Sequence, residues 1–175
     1  AEIPETVEKI YNARKRDINK PCIILIAAWE DLEKFNIEVS AEIKAVISGK
    51  RLWPGKVSIV FPSADSRFDF LSRGTGSLAF RMPDSPELLA LLKKTGPLVA
   101  PSANMSGELP ATHIAMARES FKDSVDFYVD GGNTTCYTHG YFDFGSSTVN
   151  VGGDLDFRCA SVYSTATSAT PTINL

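Results

Sequence analysis

Residues 22–28 read CIILIAA, a stretch with no charge and no polar side chain apart from one thiol. Such a run is of strand length, and it suits a sheet covered on both faces, where no position need be polar. It also needs neighbours to pair its backbone. VSIVF (57–61), SLAF (77–80) and PLVA (97–100) read as those neighbours, with DFYVD (126–130) and STVNV (147–151) as further strands.

Helical segments lie between them. Residues 5–14 place Val7, Ile10 and Tyr11 on one face and end in basic residues. Residues 30–48 hold one or two short helices. SPELLALLKKTGP (85–97) carries a full set of helix signals, with Ser85 at the N-cap, Pro86 at the first position, Lys93 and Lys94 in the last turn and Gly96 beyond. Thr112 is expected to open a last helix running to about Lys122. Strands and helices that alternate without a fixed order predict an α/β or α+β domain built on a twisted mixed sheet.

A chain of 175 residues, 43% hydrophobic and 22% charged, is long enough for one domain with a real core. The formal net charge of −3 argues against a general basic field for nucleic acid. No apolar run approaches the roughly 18 residues of a membrane span, and the acidic, amphipathic N-terminus does not read as a signal peptide. Cys22, Cys136 and Cys159 match no metal or redox spacing and are expected to be reduced thiols of a cytoplasmic protein.

The chemistry-bearing residues fall in four clusters. PSANMSG (101–107) links a strand to a helix and offers Ser102, Asn104 and Ser106. It is either a pocket for a polar, phosphorylated ligand, with hydroxyl and amide facing outward, or a turn that satisfies its own backbone. Arg14, Lys15, Arg16 and Lys20 are either a phosphate clamp or a solvated helix end. RLWPGKVSIVFP (51–62) combines a rigid Trp-Pro-Gly turn, read as a packing corner, with Ser58 inside an apolar run, where a buried hydroxyl needs a partner. RGTGSLAFRMPDSP (73–86) ends its strand on Arg81, which must pair, with Asp84 for instance, or bind something. His113 and His139 lack partners for nucleophilic or metal chemistry and read as structural or surface residues. No metal site is legible.

Taken in order, RKRDINKP, WPGxxSIVF, GTGSLAFRMPDSP, PLVAPSANxSGE, DFYVDGG and SSTV resemble the YrdC family, the threonylcarbamoyl-adenylate synthases of transfer-RNA modification, over roughly residues 5–150. The resemblance implies a YrdC-like (DHBP synthase-like) sheet with flanking helices and an open concave groove, filling residues 1–160, with 161–175 as a flexible tail. It implies a nucleotidyltransferase that takes ATP, L-threonine and bicarbonate, carries Mg²⁺ in with ATP, and releases pyrophosphate. Transfer RNA or a transfer-RNA-modifying protein would be its partner. The family's K-x-R pair falls on Arg14 and Arg16, its S-x-N on Ser102 and Asn104, its strand-end arginine on Arg81, and its strand threonine on Ser58. ATP contacts are thus expected from Arg14, Arg16, Ser58, Ser77, Asn104 and Thr112, and threonine contacts from Arg81, Ser102 and Ser147.

Three departures stand out. Arg14 replaces the family's lysine, and Asp17 replaces a proline. The family's opening strand, P-T-D-T-x-Y-G, has no counterpart before residue 5. Residues 155–163 are therefore expected to cover the sheet edge beside 22–28, rebuilding the threonine pocket and weakening threonine-dependent activity. Two other functions remain open on the same resemblance, a non-catalytic module binding RNA or nucleotide and a carbamoyltransferase domain that uses carbamoyl-adenylate.

Overall fold

The computed structural model describes residues 1–130 and the backbone of four short strands beyond them. The main sheet has β1 (Ile23–Leu25), β2 (Ile59–Pro62), β3 (Ser77–Arg81) and β4 (Leu98–Val99) in the order β2-β3-β1-β4. β1 runs parallel to β3, while β2 and β4 are antiparallel to their neighbours, so the sheet is mixed. Its helices are α1 (Pro4–Arg14), α2 (Ala41–Gly49), the single turn α3 (Asp69–Ser72), α4 (Pro86–Thr95) and α5 (Ile114–Phe121), with a 3₁₀ helix at Trp29–Phe35.

The run 22–28 is not all strand. After Leu25 the chain leaves the sheet, and the Asp31 carboxylate accepts the backbone N–H groups of Ala27 and Ala28 at 2.9 and 3.2 Å, starting the 3₁₀ helix. Nor are its two faces equally covered. Ile24 is fully buried, while Ile23 and Leu25 are half-buried. Register extends this alternation across the sheet, because paired residues project to the same side. Ile24, Ile59, Phe61, Leu78, Phe80 and Val99 share one face and belong to the core with Val7, Leu32, Phe35 and Trp53. Phe80 meets Phe35 at 5.1 Å between ring centroids, edge to face. The other face carries Ile23, Leu25, Val60, Ser77, Ala79, Arg81 and Leu98.

α4 forms as its signals predict. Ser85 Oγ accepts from the Leu88 N–H, Pro86 takes the first position, and Gly96 closes the helix at φ 78°. α5 begins at Ile114 with His113 as its N-cap residue, so Thr112 lies one residue outside that cap. Residues 126–130 are not a strand. Phe127 and Val129 are largely exposed, so among the described residues the alternation of DFYVD has no sheet neighbour to pair with.

Four further strands follow, β5 (Tyr141–Asp143), β6 (Val149–Asn150), β7 (Ser161–Tyr163) and β8 (Ile173–Asn174). β5 pairs with β7 and β6 with β8, both in parallel. The segment expected beside β1 thus ends in a strand paired with β5, and β1 has β3 and β4 as its neighbours. Residues 155–160, Ser147, Cys136, Cys159 and His139 lie outside the described residues.

Candidate functional site

Most of the expected site residues fall in two polar clusters. The first is built where α1 stops. Its cap residue Lys15 turns left-handed at φ 48°, and Arg14 points back into the protein, only 5% exposed. The guanidinium grips the 101–107 loop, Nε donating to the Asn104 carbonyl at 3.0 Å and Nη2 to Asn104 Oδ1 and Ser102 Oγ at 2.9 and 3.2 Å. In return the Arg14 carbonyl accepts the Ser106 N–H. Residues nearly 90 apart in sequence therefore meet directly, as a shared site requires. Arg14 is not the solvated helix end of the alternative reading.

Asn104, however, does not face outward. Its Oδ1 accepts from Ser102 Oγ at 2.6 Å as well as from Arg14, and its Nδ2 donates to the Met105 and Glu108 carbonyls at 2.9 and 2.8 Å. Every hydrogen-bonding position of the carboxamide is used within the fold, and the residue is buried. The outward-facing amide expected from the sequence is replaced by an internal strut, while Ser102 remains exposed. Arg16 lies two residues beyond Arg14 but is held by its own turn, Nε and Nη2 donating to the Lys20 and Pro21 carbonyls at 3.0 and 2.8 Å. Ser77 opens β3 with its hydroxyl 3.2 Å from that of Thr75. Thr112 Oγ1 lies 3.5 Å from the Met116 sulfur.

The second cluster centres on Arg81 at the end of β3, four residues and roughly 13 Å along the strand from Ser77. Its Nε donates to the Gly55 carbonyl at 2.9 Å, and the Gly55 N–H donates to the Met82 carbonyl at 2.8 Å. The Trp-Pro-Gly turn thereby fastens to the strand end. Gly55 is required there, since a Cβ would stand 2.6 Å from the Leu52 carbonyl oxygen. Trp53 is the core corner that the sequence suggested, at 2% exposure. The clamp between its turn and Arg81 has no signal in the sequence. Among the described residues Arg81 forms no ion pair, with Asp84 or any other carboxylate, and burial lowers its pKa from the usual arginine value. Ser58 lies one residue before β2, opposite Arg81 by the register of β2 and β3. It is 2% exposed.

A separate cleft of about 730 Å³ is lined by Trp29, Leu32, Ile37, Val39 and Lys44 among others, and shares no residue with either cluster. No group of three His, Cys, Asp or Glu among the described residues could hold a metal ion, and none of their helices is long and apolar enough to cross a membrane.

Residues 1–139 match the family model of the Sua5, YciO and YrdC proteins, described as "Telomere recombination". Threonylcarbamoyl-AMP synthase of Bacillus subtilis is 34% identical over 132 residues, 74% of this chain and 38% of that protein. The enzyme of the same name from Pyrococcus abyssi is 34% identical over 129 residues, 73% and 37%. The chain thus spans less than two-fifths of the length of these relatives. Among solved structures, P. abyssi Sua5 complexed with L-threonine superposes with a TM-score of 0.68 at 32% identity, over 77% of this chain and 39% of that one. Full-length HypF, at 22% identity and a TM-score of 0.58, shares the fold. The mixed sheet with flanking helices and the sequence match agree, and the chain belongs to the Sua5/YciO/YrdC family.

Proposed function

We propose that this domain makes threonylcarbamoyl-adenylate from ATP, L-threonine and bicarbonate, as part of transfer-RNA modification. The observation that carries the proposal is Arg81, a half-buried guanidinium with no carboxylate partner among the described residues, beside the buried residue Ser58. A cation so placed costs free energy unless it meets an anion. Relatives that are named threonylcarbamoyl-AMP synthases support the choice of anion.

In this reading Arg81 receives the threonine carboxylate, with Ser102 and Ser147 as further contacts. Ser58, Ser77, Arg16 and Thr112 serve ATP, while Arg14 and Asn104 hold in place the 101–107 loop that presents Ser102. Threonine's amine and bicarbonate give an N-carboxylate with loss of water. A carboxylate oxygen then forms a bond to the α-phosphorus as the bond to pyrophosphate breaks. The reaction asks for alignment and charge neutralisation, and no acid–base pair is required. The described site residues offer guanidinium, amide and hydroxyl groups, which suit a phosphate chain better than a bare cation. Magnesium is therefore expected to arrive on ATP, and no step here passes through a protein-held ion.

The test is pyrophosphate release by the chain with ATP and bicarbonate, with and without threonine. Threonine-dependent release is expected, and Arg81→Ala should weaken threonine binding about 10- to 150-fold, the value of a charge-assisted hydrogen bond. Release that ignores threonine would overturn the reading.

A further inference from the structure

We propose that Arg73, which lies outside both clusters, is a positioning residue for the basic turn 15–21 and acts through Tyr11; this rests on the nucleotide-binding reading of that turn. Arg73 sits at the end of α3 with φ 52°, a left-handed conformation that an arginine rarely adopts, and its side chain is 8% exposed. Its Nη2 reaches Glu8 Oε1 at 2.7 Å, and its guanidinium carbon lies 4.1 Å from the Tyr11 ring centroid. Glu8 and Tyr11 are three residues apart on α1 and so share a face. One side chain therefore holds the last two turns of α1 from outside. The ion pair alone explains little of this, because Glu8 is 41% exposed and such pairs are weak. The stacked, buried contact with Tyr11 is the stronger element.

Tyr11 passes the constraint on. Its hydroxyl donates to the Lys20 carbonyl at 2.8 Å, and its own carbonyl accepts the Arg16 N–H at 3.0 Å. Tyr11 thus holds both ends of the turn, the Arg16 end through its backbone and the Lys20 end through its ring hydroxyl. The Lys20 carbonyl also accepts Arg16 Nε at 3.0 Å, so Tyr11 and Arg16 converge on one oxygen. With Nε and Nη2 held by the turn, Arg16 Nη1 keeps its protons for a phosphate. If Arg73 lets the ring move, the Lys20 carbonyl is free to turn and Arg16 loses its fixed aim.

The test compares Arg73→Ala, Tyr11→Phe, their double variant and Arg73→Lys in the 175-residue chain. Without ligand, proton exchange at Arg16 Nε, followed by NMR, should quicken about tenfold in Arg73→Ala and Tyr11→Phe. By calorimetry the ATP Kd should rise about tenfold in each, no further in the double variant, and only partly in Arg73→Lys, as expected of side chains acting as one unit. Variants that melt earlier while Arg16 exchange and ATP Kd stay unchanged would overturn the proposal. If the parent chain itself binds no ATP, it is the nucleotide reading that fails. The exchange data then decide the clamp alone, and protection retained in Tyr11→Phe refutes it.

Discussion

Asn104 and Ser102 stand two residues apart in one motif and hold opposite positions. Asn104 is buried with its carboxamide fully engaged, and it shares Oδ1 with a buried guanidinium. Removing its side chain takes a donor from the Met105 and Glu108 carbonyls and the Oδ1 acceptor from Arg14 and Ser102. Asn104→Ala should therefore cost about 2–4 kcal/mol in urea unfolding. Ser102 is exposed, and Ser102→Ala should cost under about 1 kcal/mol while weakening threonine binding. Equal stability losses in the two variants would contradict this division. The motif was legible as chemistry, but the direction of each side chain was not, because that is set by Arg14 arriving from α1.

At the scale of elements, the loop entering α3 is tied down by a carboxylate. Asp65 accepts from Asn36 Nδ2 at 2.6 Å and from the Arg67 guanidinium at 2.6–3.1 Å. It thereby joins the β2–α3 connection to the end of the 3₁₀ helix. Arg67, chiefly through its hydrogen bonds, brings the Asp65 pKa from 3.8 down to about 2. A carboxyl whose folded pKa is depressed contributes stability above its unfolded value and loses it as pH falls through the folded one. The contribution of Asp65 should thus be complete above pH 3.8 and fade towards pH 2. Asp65→Asn should lose less stability than the parent across that window in acid titrations followed by circular dichroism. A parallel acid limb in both proteins would refute the link. Helix α4 was readable to its caps because every one of its signals is local. DFYVD failed as a strand because pairing is not local.

For the whole molecule, the decisive feature is that the sheet's two faces have different uses. Phe80 is fully buried among Phe35 and Phe61, and Phe80→Ala should cost about 3–5 kcal/mol. Val60, half-buried on the face with Ser58 and Arg81, should cost far less when cut to alanine, about 1 kcal/mol. Denaturant midpoints would check the contrast, and comparable losses would mean that both faces are core. On the less covered face Ser77 and Arg81 stand at the two ends of β3, with the apolar Ile23, Val60 and Ala79 between them.

The sequence by itself determined the class of fold, helix α4 with its caps, the family, and the contact of the basic pair with the Ser-x-Asn loop through Arg14. Hydrophobic pattern, capping and motif order act over a few residues and can be read there. Tertiary structure alone decided where the 22–28 run leaves the sheet, since that depends on Asp31 catching two backbone amides. It also decided that Asn104 turns inward, that Gly55 rather than Asp84 meets Arg81, and that Arg73 stacks on Tyr11. Each of these is a pairing between distant segments, and its geometry exists only once the sheet has brought them together.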